Sequence, residues 1–158
     1  MQIEHTIQLS ANPDTVWNWV NAIERVATCI PGVEQMAAIE PGKQYNAVAT
    51  DKVGPFKVSF PMELSVVEAE QPMMKIKAKG QDKYTKTLVH LNMFVQVNPD
   101  AAGNGTELKL DVDYQMKGKL ATLGQGMVNR KFTEKVDAFA ANLTQVLEGE
   151  NGDAARVL

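Results

Sequence analysis

The sequence has little cysteine, little histidine and no long apolar run. Its 158 residues include one cysteine, Cys29, and two histidines. One cysteine cannot form an internal disulfide, and so few cysteine and histidine side chains exclude the usual zinc clusters. No segment approaches the roughly 18 apolar residues of a membrane-spanning helix, and the N-terminus lacks the pattern of a secretion signal. We therefore expect a cytoplasmic chain without a metal site.

The net charge is also small. The 16 Lys and Arg against 19 Asp and Glu give a formal charge of −3 at pH 7, which disfavours a general attraction to nucleic acid phosphates. The composition indicates a single domain. At 44 % hydrophobic and 22 % charged, it is typical of one soluble globular domain at this length. We place this domain at residues 1–148 and predict that the polar residues 149–158 form a flexible C-terminal tail.

Alternation of apolar and polar residues is the clearest signal along the chain. It predicts a half-buried first strand over residues 2–9. Asn12-Pro13 then predicts the start of a short helix, and the segment 30–32, with sequence IPG, ends a second one. From residue 33 to residue 117, turn signals separate six further strands, each with one apolar face.

The last predicted element is a long helix. Apolar residues recur at helical spacing from about Leu120 to Leu147, or roughly seven turns. The order of elements predicts an α+β helix-grip fold, in which a curved seven-stranded antiparallel sheet wraps around this helix and two short helices follow the first strand. Because a bent sheet cannot pack flush along a straight helix, we expect a cavity between them.

Methionine and aromatic residues indicate what lines this cavity. The chain has eight methionines, a flexible residue suited to surfaces that adapt to apolar molecules of variable shape. Those at inward positions of the strands and on the apolar stripe of the last helix, with their neighbours, are the candidate ligand-binding residues. They are Tyr45, Phe60, Met62, Met93, Tyr114, Met116, Leu123 and Met127.

We identify no catalytic residue and no set of metal ligands. His5 shares the apolar face of the first strand, where a buried imidazole could act as a base, but a hydrogen-bonded rim histidine is the simpler interpretation. His90 faces outward. Asp111 and Asp113 also lie on an outward strand face, which indicates solubility rather than a paired acidic site.

Lysines form a stripe on one predicted strand. Lys75, Lys77 and Lys79 share its polar face, and Lys83 and Lys86 follow. A solvated face is the simpler interpretation of this lysine stripe. The alternative is a docking patch for an acidic protein or an anionic membrane surface.

Four segments together resemble one family. They are Val16-Trp17, the segment 29–34 with sequence CIPGVE, the segment 52–55 with sequence KVGP, and the segment 118–124 with sequence GKLATLG. Over nearly the whole chain they resemble the carbon monoxide dehydrogenase G-subunit family of the START-like, or polyketide cyclase and lipid-transport, superfamily. The resemblance implies a helix-grip fold and association with molybdenum-containing hydroxylases, in membrane recruitment or electron hand-over rather than in their chemistry.

These observations predict a non-catalytic accessory or carrier protein that binds a hydrophobic ligand, such as a quinone or lipid, and serves a molybdenum hydroxylase of the carbon monoxide dehydrogenase type. No resident cofactor is expected. The expected partners are a hydrophobic small molecule, molybdenum hydroxylase subunits and a peripheral contact at the inner face of the membrane, but no nucleic acid. Two alternatives stay open. One is a cyclase- or hydrolase-like enzyme using His5 or Tyr114 in the same cavity, and the other is an assembly or membrane-recruitment factor for the dehydrogenase.

Overall fold

A computed structural model describes residues 2–103 and 105–157, with side chains up to residue 148. The helices and strands are β1 (Gln2–Leu9), α1 (Pro13–Asn21), α2 (Ile23–Val26), β2 (Val33–Glu40), β3 (Gln44–Val53), β4 (Phe56–Glu70), β5 (Met73–Gln81), β6 (Leu88–Pro99), β7 (Thr106–Lys117) and α3 (Gln125–Val157). Two 3-10 segments, Ala27–Cys29 and Lys119–Leu123, follow α2 and precede α3. The seven strands, the two short helices and the α+β helix-grip architecture are therefore confirmed.

The strands form one antiparallel sheet in the order β1-β7-β6-β5-β4-β3-β2. Strands β2 to β7 are neighbours in both sequence and space, because short turns join each strand to the next. Only β1 departs from this order, since it crosses to pair with β7 along its whole length. The last strand is thereby held between the first strand and β6, and the chain leaves it directly toward α3.

Burial alternates along the strands as the sequence predicts. In β1, Ile7 and Leu9 are buried while Thr6 and Gln8 are exposed. Successive side chains of a strand point to opposite faces, so one face of the sheet meets water and the other meets the helices. At the start of α1, the Asn12 side chain accepts a hydrogen bond from the Thr15 N–H at 2.9 Å and acts as the predicted cap.

The predicted bounds of the last helix were wrong at both ends. Residues Lys119–Leu123 form a 3-10 segment, α3 begins only at Gln125, and its backbone remains helical to Val157. Gly124 separates the two segments with a φ of +90°, a left-handed conformation that interrupts an α-helix and that glycine adopts readily. The flexibility of residues 149–158 stays a prediction, because their side chains lie outside those described.

Polar contacts fasten α3 to the neighbouring chain. Lys131 Nζ lies 3.2 Å from Asp51 Oδ1, and Lys135 Nζ lies 2.9 Å from Asp51 Oδ2. Burial raises the pKa of the Asp51 carboxyl, but hydrogen bonds from both lysines and a backbone N–H outweigh it, and the pKa falls below its usual value. Two further bonds, from Lys135 Nζ to the Pro31 carbonyl (3.1 Å) and from Asn142 Nδ2 to the Cys29 carbonyl (2.9 Å), hold the helix to the loop before β2.

A buried carboxylate organises the turn between β5 and β6. Asp82 is fully buried and accepts hydrogen bonds from the Ser59 N–H (2.7 Å), the Thr85 N–H (2.6 Å) and the Thr85 hydroxyl (2.5 Å). Burial raises the pKa of this carboxyl, but the hydrogen bonds outweigh it and hold the pKa below the usual 3.8. Thr87 Oγ1 then accepts the Leu120 N–H at 3.1 Å. The turn is thereby joined to β4 on one side and to the 3-10 segment before α3 on the other.

Replacing Asp82 is expected to destabilise the fold. Asp82→Ala should lower the free energy of unfolding by about 2–3 kcal/mol, because several buried donors lose a charged acceptor. Chemical denaturation near neutral pH measures this difference. The control is Asp137→Ala, which removes a carboxylate that is 64 % exposed and should change stability by no more than about 0.5 kcal/mol.

The effect of Asp82 should also depend on pH. Its pKa is lower in the folded protein than in the unfolded chain, so its stabilisation is present above the unfolded value of 3.8. That stabilisation is lost as the pH falls through the folded value. The stability difference between wild type and Asp82→Ala should therefore shrink below about pH 4. A difference that stays constant through this range would contradict the assignment.

Candidate functional site

The six candidate ligand-binding residues on strands lie on the inner face of the sheet. The antiparallel register fixes their positions, because directly paired residues point to the same face. Two central rows, written from β3 to β7, are Tyr45-Leu64-Ala78-Leu91-Tyr114 and Ala47-Met62-Gly80-Val89-Met116. Phe60 lies two residues before Met62 on β4, and Met93 lies two residues after Leu91 on β6. The register therefore brings all six onto one continuous surface.

Some side chains of this surface belong to the packed hydrophobic core, and others lie outside it. A continuous hydrophobic core joins β1, α1 and α2 with the C-terminal part of α3, including Leu143 and Leu147. Among the candidate residues, Tyr45 belongs to this core and Met93 packs against it. The other six are Phe60, Met62, Tyr114, Met116, Leu123 and Met127, and none of them is part of it. Tyr114 is nevertheless buried, at 2 % exposed, whereas the other five side chains remain partly exposed or exposed.

The start of α3 lies against the turn between β3 and β4. A Cβ atom at Gly54 would lie 3.1 Å from Met127 Sδ and 3.6 Å from Leu123 Cδ1. Gly54 also has a φ of +58°, so glycine is suited to this turn both by conformation and by space. Met127 remains 36 % exposed. Leu123 and Met127 therefore lie at the end of the inner face where the Met127 side chain reaches the surface.

One polar pair lies among these apolar side chains. The Tyr114 hydroxyl donates a hydrogen bond to Asn129 Oδ1 at 2.5 Å, and the Tyr114 ring stacks on Phe132 with the ring centroids 6.5 Å apart. Burial raises the pKa of Tyr114, so its hydroxyl stays protonated at neutral pH and acts as a donor. The sequence did not identify Asn129. Asn129 lies three residues before Phe132 and therefore on the same side of the helix, and this spacing could have indicated that Asn129 faces the sheet.

Tyr45 differs from Tyr114 in what its hydroxyl contacts. The Tyr45 ring is buried in the core, and its hydroxyl accepts the Gly42 N–H at 2.7 Å. Its polar end therefore belongs to the turn between β2 and β3. The two tyrosines lie in the same cross-strand row, but four strand spacings of about 4.8 Å separate them.

His5 lies at the rim of the sheet. Its Nε2 is 3.5 Å from Asp137 Oδ1 on α3, and the two side chains are 28 % and 64 % exposed. His5 pairs with Leu110 on β7, and Tyr114 lies four residues further along that strand, or about 13 Å. The structure therefore does not bring together the two residues considered for an enzyme. His90 is exposed on the outer face, as expected.

Two lysines of the stripe, Lys75 and Lys79, are compensated by neighbouring carboxylates. Lys75 Nζ lies 3.7 Å from Glu68 Oε2, and Lys79 Nζ lies 3.5 Å from Glu63 Oε2. The register of β4 with β5 places each lysine directly opposite its glutamate. The description of this strand face as a basic patch was therefore incomplete, because it did not include the acidic residues across the sheet.

Two depressions, of about 610 and 250 Å³, lie on the outer face of the sheet. The larger is lined mainly by polar and charged side chains, among them Lys77, Lys79, His90, Asn92 and Asp113. Such side chains are well hydrated, and an apolar molecule would gain little by displacing their water. The smaller depression is largely apolar, with Val67, Ile76, Met93 and Phe94 in its lining, but its volume of about 250 Å³ is below the roughly 300–1,000 Å³ of a typical small-molecule site. For an apolar ligand of that size, the inner face is therefore the better candidate.

Metal ligands and membrane-spanning segments were also considered in the described part of the chain. No three His, Cys, Asp or Glu side chains within it gather closely enough to hold a metal ion. No helix within it combines the length and the hydropathy needed to cross a bilayer.

Solved structures share this fold at low sequence identity. A conserved protein from Geobacillus kaustophilus matches with a TM-score of 0.84 and 17 % identity, over 94 % of this chain and 96 % of that one. A START superfamily protein from Mycobacterium smegmatis matches with a TM-score of 0.64 and 17 % identity, over 94 % and 97 %. The ZhuI aromatase/cyclase from Streptomyces sp. R1128 matches with a TM-score of 0.62 and 14 % identity, over 95 % and 92 %. These matches confirm the START-like fold.

Sequence comparison shows the family. No curated protein sequence matches this chain closely enough to show a relationship. The sequence model of the carbon monoxide dehydrogenase G-subunit (CoxG) matches residues 6–148 and so covers nearly the whole chain. The resemblance first seen in four short segments is thereby confirmed, and the chain belongs to the CoxG family of carbon monoxide dehydrogenase G-subunits.

Proposed function

We propose that this chain is a non-catalytic accessory or carrier protein that binds a hydrophobic ligand between the inner face of the sheet and α3. The observation that carries the proposal is a set of five apolar candidate side chains that are incompletely buried and lie outside the packed core: Phe60, Met62, Met116, Leu123 and Met127. Apolar surface that is not buried against other apolar groups forgoes about 25 cal/mol per Å². An apolar molecule would cover these side chains, and its own surface would leave water at the same time.

The polar pair favours a ligand with a neutral polar group. Tyr114 donates to Asn129 Oδ1, so the Asn129 amide Nδ2 is the donor that the pair can offer to a bound oxygen. The nearby cations Lys131 and Lys135 are both engaged by Asp51 and are poorly placed to neutralise a phosphate. A quinone, with carbonyl oxygens on an apolar body, fits this chemistry better than a phospholipid does.

The partner in this proposal is a molybdenum hydroxylase of the carbon monoxide dehydrogenase type. Its support is the family, whose name refers to a component of that dehydrogenase. A quinone or lipid dissolves poorly in water and has to be collected from a bilayer. The proposal therefore includes a peripheral contact with the inner face of the membrane.

Ligand extraction tests the binding proposal. Native mass spectrometry and solvent extraction of the purified chain should reveal about one equivalent of an apolar molecule, or uptake of one from a panel of quinones and lipids. Ala78 lies in the central inner row and is buried outside the packed core. Ala78→Leu should therefore reduce ligand uptake at a cost of less than about 1 kcal/mol in stability, because leucine takes space that the ligand would use.

The matched control is the same substitution within the packed core. Ala11 is 2 % exposed and belongs to that core, so Ala11→Leu should cost about 1–3 kcal/mol by overpacking and leave the ligand in place. Ligand-free protein across the whole panel would refute the proposal. Equal destabilisation by the two substitutions would mean that the inner face is as tightly packed as the core.

The polar pair makes a second prediction about the ligand. Tyr114→Phe removes the hydroxyl that orients Asn129, so the affinity for a quinone should fall about fivefold to tenfold, the value of one hydrogen bond. The affinity for a hydrocarbon of similar size without oxygen should not change. Tyr45→Phe is the matched control, because the Tyr45 hydroxyl is engaged by Gly42. Titration with both ligands measures the difference, and equal losses for both would contradict recognition of a polar group.

Co-purification tests the partner. A tagged chain expressed with a carbon monoxide dehydrogenase should retain the dehydrogenase at low salt. Neutralising the lysine stripe with Lys75→Gln, Lys77→Gln and Lys79→Gln should leave this retention in place, because Glu68 and Glu63 already compensate two of the three charges. Loss of the dehydrogenase with unchanged ligand binding would instead favour an assembly factor that uses the stripe.

A further inference from the structure

Three segments meet at the end of the molecule where Met127 is exposed. They are the turn between β3 and β4, the turn between β5 and β6, and the stretch that joins β7 to α3. Lys119 Nζ lies 5.0 Å from the centroid of the Phe56 ring, and the Leu120 N–H bonds to Thr87. These contacts, together with those of Leu123 and Met127 at Gly54, place the three segments side by side.

The charge of this end is strongly one-sided. Residues 52–59, 83–90 and 114–133 contain eight of the chain's 16 Lys and Arg and none of its 19 Asp and Glu. Six of these cations form what we call the basic end, and all six are exposed: Lys52, Lys57, Lys83, Lys86, Lys117 and Lys119. Asp51 and Asp82 directly precede two of these segments, so the excess of positive charge depends on how these two carboxylates are engaged.

Neighbouring carboxylates do not neutralise the basic end. Asp82 is fully buried and hydrogen-bonded within its turn, and Asp51 is engaged by Lys131 and Lys135. Within the part of the chain that the structure describes, none of the six lysines forms an ion pair. This distinguishes the basic end from the lysine stripe on β5, where Lys75 and Lys79 each face a glutamate.

Large apolar side chains are exposed among these lysines. Tyr84 is 58 % exposed, Leu88 43 % and Met127 36 %. An exposed tyrosine and aliphatic side chains surrounded by lysine are the composition of surfaces that rest at the boundary between water and lipid headgroups. Protein interfaces are, in contrast, depleted of lysine. The composition therefore favours a lipid surface over an acidic protein as the partner.

We propose that the basic end docks on an anionic lipid surface, with Tyr84, Leu88 and Met127 at the level of the headgroups and the six lysines around them. Each lysine held near such a surface strengthens partitioning by about fivefold. The docked orientation turns the end of the inner face at which Met127 is exposed toward the bilayer. Docking itself requires no bound ligand. The inference rests on the proposed function only in assigning the contact a purpose, which is to let the ligand pass between the protein and the bilayer.

Vesicle binding by the full chain tests the proposal. Sedimentation with phosphatidylcholine vesicles containing one third phosphatidylglycerol should retain the protein, whereas pure phosphatidylcholine vesicles should not. Raising the salt from about 0.1 M to about 1 M should release it, because the Debye length falls from about 10 Å to about 3 Å. Tyr84→Ser should weaken binding but leave its salt dependence unchanged, since it removes no charge.

Two triple variants with the same change in charge locate the surface. Lys57→Gln, Lys83→Gln and Lys86→Gln should together reduce partitioning about a hundredfold, as expected for three lysines at the surface. Lys75→Gln, Lys77→Gln and Lys79→Gln, on the lysine stripe, should change it by less than about threefold. Circular dichroism and thermal unfolding verify that both variants fold.

Two outcomes would overturn the proposal, and a third would separate it from the proposed carrier function. Equal weakening by the two triple variants would mean a general attraction of charge without a defined surface. Absence of vesicle binding, combined with loss of dehydrogenase retention in the basic-end variant, would assign the surface to an acidic protein. Vesicle binding by a chain that carries no ligand under any condition would leave the docking surface standing and refute the proposed carrier function, so the two proposals fail separately.

Discussion

The structure depends on how one straight helix is held inside a curved sheet. The C-terminal part of α3 packs into the core through Leu143 and Leu147, which are fully or almost fully buried. Nearer its start, the helix is fixed by the contacts of Lys131 and Lys135 with Asp51 and by the stacking of Phe132 on Tyr114. The helix is thereby positioned over the inner face at two places, and the first turns of α3 can cover apolar side chains that the core does not include. Under the proposed function, such an arrangement would let a hydrophobic ligand bind and leave while the core stays intact.

The strands could be predicted because each buries one face only, and alternation in the sequence reports that directly. The start of α3 could not, because the spacing of Leu120 and Leu123 suits a 3-10 segment as well as an α-helix, and only the backbone at Gly124 separates the two. The sequence also did not reveal contacts between side chains that lie far apart along the chain. Glu63 faces Lys79 through the strand register, and Asn129 meets Tyr114 through the position of the helix. The inward positions of the strand candidates were predictable, but which candidates would join the packed core was not.

Fold and family contribute different things to the interpretation. The START-like fold is shared with proteins as different as an aromatase/cyclase, so the fold alone does not decide between binding and catalysis. Membership of the CoxG family suggests a biological setting. The side chains on the inner face then help to choose between binding and catalysis. The Tyr114–Asn129 pair lies among methionines and aromatic rings and would orient a ligand under the proposed function, and the rim position of His5 separates the histidine from that pair.

The buried carboxylate of Asp82 has a consequence for the turn that it organises. Exposed turns usually lose conformational freedom when they bind, and that loss reduces affinity. Here the hydrogen bonds of Asp82 with Ser59 and Thr85 already fix the backbone that carries Tyr84 and its flanking lysines. The turn is thus ordered by an interaction inside the protein rather than by its partner. A surface preorganised in this way can associate and release repeatedly without refolding, as the proposed docking would require.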